Sequence, residues 1–124
     1  MERNKILIGN AYPLSLIRGG EVRMCCRTVA ELRNALSGHP VASFWGHENT
    51  RAIAENLLGV SLKPRTPRPA LRLAANGHPV LDGETFDVCW VLSPDYKDGK
   101  RPNIGEEVGH GQIAGWQVVK ISWL

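Results

Sequence analysis

No apolar run in this sequence approaches the roughly 20 residues that a helix needs to cross a bilayer. The opening Met1-Glu2-Arg3-Asn4-Lys5 leads into a short strand-like segment and not into a signal-peptide core, so the expected setting is the cytoplasm, without a membrane. Cysteine is scarce. Cys25, Cys26 and Cys89 are odd in number, and the first two are chain neighbours that would point to opposite faces of a strand, which argues against a disulfide framework. Cys-x-x-Cys is absent and His39, His47, His78 and His110 are scattered, so neither a metal site nor a cofactor is expected. Charge of one sign is also in short supply: the formal net charge of +3 and the pI near 9.0 lack the heavy basic signature of a general DNA-binding protein. Such a balance suits a small anionic ligand at least as well as a polymer, and duplex nucleic acid is not an expected partner.

What is present is the composition of a folded domain, with 43% apolar and 22% charged residues in 124. Repeats, low-complexity tracts and linkers are missing, so residues 1–124 read as one domain. Lys5 to Ala11 reads as a buried first strand with Asn10 at its end, and Glu21 to Arg27 as a second strand with Val22, Met24 and Cys26 facing one way. Thr28 to Glu31 has capping-box spacing and opens a helix over about 29–37. His39 to Trp45 follows as a third strand. Asn49 to Leu58 carries a second helical stripe, stopped by Gly59. Ala70 to Leu73 is a weak strand, and Asn76-Gly77 and Asp82-Gly83 are turns. Thr85 to Ser93 reads as a strand with Phe86, Val88, Trp90 and Leu92 on one face, a short helical hint lies near 104–108, and Trp116 to Leu124 closes the sheet. Hairpins mixed with two helical crossovers give the α+β or mixed α/β class: one mixed sheet of about five strands with two or three helices.

The chemistry concentrates at Trp45-Gly46-His47-Glu48-Asn49-Thr50, where a strand passes into a helix. The helix start presents N–H groups and the positive end of its dipole, and Gly46 allows close approach to the backbone, an arrangement that suits a phosphate. His47 carries the one side chain that ordinarily titrates near neutrality, so it can serve phosphoryl transfer or simply cap the helix. Asn49 and Thr50 serve equally as caps or as contacts to ligand oxygens. Lys63, Arg65, Arg68 and Arg72, interleaved with Pro64, Pro67 and Pro69, form either a solvated, proline-stiffened loop or a basic contact for the ligand. His110, between glycines, and the charged turn Asp95 to Arg101 read as loop residues.

Three blocks resemble the small viral type III anti-CRISPR ring-nuclease family, found in archaeal viruses, phages and bacteria. Ile8-Gly9-Asn10-Ala11-Tyr12-Pro13-Leu14-Ser15-Leu16-Ile17 is similar to the family's first strand ending in Asn-Ala-Phe-Ser. Trp45 to Thr50, continuing to Leu57-Leu58-Gly59, is similar to its Gly-His-acidic-Ser-Thr junction, and Gly115 to Ser122 to its closing strand. The resemblance implies a two-fold homodimer that holds cyclic tetra-adenylate across its interface and cuts it without metal, in the cytoplasm of a prokaryotic or virus-infected cell. It implies His47 as the catalytic acid, with Asn10, Ser15, Gly46, Asn49, Thr50 and Ser93 on ribose and phosphate.

The sequence departs from the family after the penultimate strand, where Ser-Gln-Arg is usual and Ser93-Pro94-Asp95-Tyr96-Lys97 stands here. Lys97, Lys100, Arg101 or a residue of the basic cluster such as Arg65 would supply the missing arginine's charge, though a lysine does not reproduce a guanidinium fork. Pro13 replaces a usual serine, and Lys63 to Glu84 is longer than the family norm. Two other functions fit the same residues: a module that binds a cyclic oligonucleotide without cutting it, and a small DNA-binding dimer using the basic cluster.

Overall fold

The computed structural model describes residues 4–18, 20–66, 70–96 and 113–124. The elements follow the order β1 (Ile6–Gly9), a 3-10 turn (Leu14–Leu16), β2 (Val22–Arg27), α1 (Val29–Leu36), β3 (Val41–Ser43) and α2 (Glu48–Leu58). They continue through β4 (Arg72–Leu73), β5 (Pro79–Leu81), β6 (Glu84–Thr85), β7 (Val88–Tyr96) and β8 (Ile113–Trp123). This is the expected α+β class, built on a five-stranded mixed sheet of order β2-β8-β7-β1-β3. A three-stranded sheet, β4-β5-β6, stands beside it in place of a single sheet. No helix among the described residues is long and apolar enough to cross a membrane.

Local chemistry fixes both helices. Thr28 Oγ1 accepts from the Glu31 N–H at 3.1 Å while Glu31 Oε1 accepts from the Thr28 N–H at 3.1 Å, closing the capping box of α1. Leu32 and Leu36 on its inner face are buried. Helix α2 buries Ile53, Ala54 and Leu58 and stops at Gly59, whose φ of 72° is the left-handed conformation that glycine adopts at least cost. Glu55 then fixes the exit of the chain, accepting from the Leu62 N–H at 2.7 Å and pairing with Arg51 at 3.3 Å.

In the large sheet, β1 pairs in parallel with β3 on one side and β7 on the other, and β8 runs antiparallel between β7 and β2. One face joins Ile8, Trp90, Leu92 and Val118 to Leu32, Leu36, Ala54 and Leu58 of the helices. The opposite face carries Leu7, Cys89, Ile121 and Trp123, and packs on Leu81 of the small sheet, Phe44 and Phe86. Val22, Met24 and Cys26 pair with Trp123, Ile121 and Val119, so they share one face as the alternation indicates. Cys25 points the other way, and all three cysteines are free thiols.

Phe86 is a correction. It was expected beside Val88, Trp90 and Leu92, yet it packs with the opposite cluster. Its N–H donates to the Pro79 carbonyl at 2.9 Å, which ties it to the small sheet, and β7 begins only at Val88 and runs on to Tyr96. The Asp82-Gly83 turn that joins β5 to β6 has both residues at positive φ, 50° and 79°, as a tight hairpin turn requires. The helical hint near 104–108 lies outside the described residues.

Two buried acids make the fold sensitive to alkali. Tyr12 sits edge-on to Trp123 and Phe44, and its hydroxyl is buried without a partner among the described residues. Burial, and secondarily the neighbouring Cys89, pushes its pKa from 10.0 up to about 12. Burial also raises the Cys89 thiol well above its ordinary 9.0. Both groups stay neutral in the fold while the unfolded chain ionises, so this stability is present below pH 9 and is lost as pH climbs toward 12. Tyr12→Phe is expected to raise stability at neutral pH by about 1 kcal/mol, by removing a buried hydroxyl that has no partner among the described residues, and to flatten the alkaline fall. Thermal melts of both chains between pH 7 and pH 11 check this; parallel curves would contradict it.

Candidate functional site

The carboxyl ends of the parallel strands β1 and β3 lie together beside Ser93 of β7, the end of a sheet at which open α/β folds take their ligands. Phe44 donates its N–H to the Ile8 carbonyl at 3.0 Å, carrying the β1–β3 ladder one step past Ser43. From there Trp45 turns inward and is 2% exposed, while Gly46, His47 and Glu48 emerge at the surface. Helix α2 begins at Glu48, immediately after His47.

Two sets of hydrogen bonds, connected through the backbone of Trp45-Gly46-His47, take in five of the residues that the sequence singles out. Ser93 Oγ donates to the Asn10 carbonyl at 2.9 Å, and Asn10 Oδ1 accepts from the Gly46 N–H at 3.2 Å. His47 is itself the helix cap: its Nδ1 accepts from the Thr50 N–H at 3.2 Å. Thr50 Oγ1 accepts from Trp45 Nε1 at 3.1 Å and donates to the His47 carbonyl at 3.2 Å, with Nδ1 at 3.0 Å. An Nδ1 that accepts from the backbone places the neutral ring's proton on Nε2. The neutral ring of His47, on an exposed residue, therefore keeps Nε2–H as its donor.

Three expected roles change. Thr50 was read as a substrate contact, but it is 3% exposed and its hydroxyl is committed to Trp45 and His47, so it positions the histidine. The Gly46 N–H, expected on a phosphate, is held by Asn10 Oδ1. The Asn10 Nδ2 hydrogens have no partner among the described residues, so the donor function passes to that amide. Arg65, expected at the ligand, lines a separate cavity of about 100 Å³ with Lys5, Val41, Lys63, Asp82 and Glu84. Lys5 and Val41 stand at the amino ends of β1 and β3, away from the junction, and the Lys5–Glu84 ion pair of 2.6 Å partly neutralises that cavity.

Ser15 is exposed in the 3-10 turn, where its carbonyl accepts from Arg18 Nε at 3.1 Å, and Asn49 is half-buried in the first turn of α2. Lys97, Arg68, His110, Lys100 and Arg101 lie outside the described residues. Among those described, no group of His, Cys, Asp and Glu is arranged to hold a metal ion.

Beside the network lies a hollow of about 260 Å³, lined by Asn10, Pro13, Leu16, Phe44, Gly46 and Leu71. Phe44 and Leu71 were not singled out from the sequence. The signal for Phe44 is Gly9, because a glycine inside a buried strand marks close approach by a neighbouring group: a Cβ on Gly9 would overlap the Phe44 ring. A Cβ on Gly46, by contrast, would meet no atom within 4 Å.

Thr50→Val tests the positioning role. It keeps the shape but leaves the buried Trp45 indole N–H unpaired, a loss of about 1–3 kcal/mol. Denaturant melts are expected to register that loss. An unchanged midpoint would mean that the Trp45–Thr50 bond contributes nothing to the junction.

No protein-family model matches the sequence, and no curated protein matches it. Among solved structures, B116 of Sulfolobus turreted icosahedral virus (STIV) is similar in fold, with a TM-score of 0.51 at 13% identity, over 98% of this chain and 100% of that one. At that identity the likeness concerns the fold alone.

Proposed function

We propose that this chain is a ring nuclease that binds cyclic tetra-adenylate and cuts it without metal, so switching off type III CRISPR signalling. The observation that carries the reading is an exposed histidine set at a helix start, whose Nδ1 is held by the Thr50 N–H and whose Nε2 has no partner among the described residues. Cleavage of RNA by its own 2′-hydroxyl needs alignment, neutralisation of the phosphate and an acid for the leaving 5′-oxygen. To serve as that acid the ring takes a second proton at Nδ1, releasing the Thr50 N–H, and gives its Nε2 proton to the 5′-oxygen, while the 2′-hydroxyl proton leaves to solvent. The Asn10 amide and the helix start supply donors for the phosphate, and the open space above Gly46 admits it to the backbone. The three-block resemblance supports the same reading, and a fold shared with an archaeal virus protein agrees with it.

The proposed active unit is a two-fold homodimer, in which each junction serves one phosphodiester of a ring with matching pseudo-symmetry. Incubation with labelled cyclic tri-, tetra- and hexa-adenylate in the presence of chelator tests the function. Selective loss of the tetra-adenylate ring is expected. Tight binding with no product over hours would replace the enzyme with a sequestering module, and loss of all activity in chelator would remove the metal-independent mechanism.

A further inference from the structure

We propose that the cavity between the C-terminal ends of α1 and α2 is a second ligand site, which takes a small organic anion: an oxyanion head on an apolar body. The inference does not rest on the ring-nuclease reading, because this cavity lies at the other end of the fold from His47. Helix α2 starts beside His47 and reaches the cavity at Leu58, the last of its 11 residues and about 16 Å further on. The Pro40 carbonyl, which accepts from the Ile6 N–H at 2.9 Å, marks the same end, where β1 and β3 begin.

At about 560 Å³ the cavity falls within the range of about 300–1,000 Å³ that small-molecule sites occupy. Its apolar wall is Leu36, Leu58 and Val60, one residue from each helix and one from the segment that leaves α2. Leu36 and Leu58 belong to the buried core and Val60 packs against it, so the wall is held by the fold itself. It offers a ligand's body a preformed apolar surface.

The polar side comes from one stretch of chain, with Arg33, Asn34, Ser37 and His39 along it. Arg33 is the one lining residue with a fixed charge, and no carboxylate lines the cavity beside it. The acid of α1, Glu31, is engaged with Thr28 and Arg27 instead, and Arg33 has no ion-pair partner among the described residues. Arg33 stands in the last turn of α1, where the helix dipole favours a cation. The carbonyls that would repel an anion there are partly occupied: that of Asn34 accepts from the Ser37 N–H at 3.3 Å, and that of Leu36 from the His39 N–H at 3.1 Å. His39 Nδ1 donates to the Asn4 carbonyl at 3.0 Å, which anchors the imidazole in the rim. An unpaired guanidinium beside amide and hydroxyl donors is the chemistry that takes a carboxylate or a phosphate. The wall next to it selects those anions that carry an apolar body.

The test is methyl and amide NMR of the full chain at constant ionic strength, titrated with phenyl phosphate and, separately, benzoate to about 10 mM, a range in which millimolar affinity registers. Inorganic phosphate and benzyl alcohol supply the head and the body alone. Saturable shifts are expected at the Leu36, Leu58 and Val60 methyls and the Ser37 and His39 amides, and the anion that gives them assigns the head as phosphate or carboxylate. Inorganic phosphate and benzyl alcohol are expected to bind about tenfold more weakly. Arg33→Gln, at an exposed position and with an unchanged spectrum elsewhere, is expected to weaken the response about tenfold. Lys63→Gln removes a cation outside this cavity and is expected to leave the response as it was. Unmoved methyls with both anions, shifts confined to residues beside His47, an equal response to benzyl alcohol, or equal losses in the two variants would overturn the site. None of these outcomes depends on whether the chain cuts cyclic tetra-adenylate.

Discussion

Replacing His47 with alanine is expected to slow ring cleavage by a hundredfold to ten-thousandfold while binding of the ring stays within about tenfold, or roughly 1.4 kcal/mol. The acid is needed only as the leaving oxygen gains charge, so the imidazole stabilises the transition state far more than the bound ring. Asn10 and the start of α2 remain to hold phosphate in the variant. The helix loses its side-chain cap, since Nδ1 accepts from the Thr50 N–H, and that costs about 1 kcal/mol of stability. The rate effect is therefore read on protein shown to be folded, by single-turnover cleavage and by ring binding in parallel. A folded His47→Ala chain that cuts at the wild-type rate would remove this histidine from the mechanism.

Gly9→Ala is expected to be the most damaging small substitution in the sheet. The added methyl would occupy the space of the Phe44 ring, which is 8% exposed and flanked by Tyr12, so the ring must move or β1 must part from β3. Overpacking of this kind costs about 1–3 kcal/mol. The damage reaches the junction because Gly9 precedes Asn10 and Phe44 lies two residues before Gly46. Slower ring cleavage should accompany the lower melting temperature. Phe44→Leu in the Gly9→Ala background makes room and should recover part of the stability, a coupling that a double-mutant cycle measures. Strict additivity of the two substitutions would show that the ring and the glycine do not oppose one another.

The parts of the fold that were legible are those set by neighbours in sequence. Thr28 and Glu31 lie one turn apart and close their own capping box, Gly59 stops α2, and the alternation of β2 assigns Val22, Met24 and Cys26 to one face. The Asn76-Gly77 and Asp82-Gly83 turns were also legible, but the separate sheet they build was not, because its strands are only two or three residues long. Phe86 fitted the alternation of β7 by chance, and its bond to Pro79 is invisible to periodicity.

At the site, His47 at the helix start could be read directly from a strand, a glycine and a helical stripe. The bonds that organise it could not, since Asn10 reaches Gly46 across 36 positions and Ser93 across 83. Thr50 looked like a ligand contact because its hydroxyl is polar; only the fold shows Trp45 Nε1 bonded to it. Arg65 belonged to a dense run of positive charge, but charge density in sequence does not state which end of the sheet the run reaches.

The chemical identity of the cut ends tests the central claim most directly. Cleavage by the 2′-hydroxyl with His47 as acid leaves a 2′,3′-cyclic phosphate at one end of the linear product and a 5′-hydroxyl at the other, because no water enters the first step. Mass spectrometry of the products of labelled cyclic tetra-adenylate, formed in chelator by wild type and lost in His47→Ala, is expected to show those two ends. A 5′-phosphate paired with a 3′-hydroxyl, or an intact ring, would contradict the account.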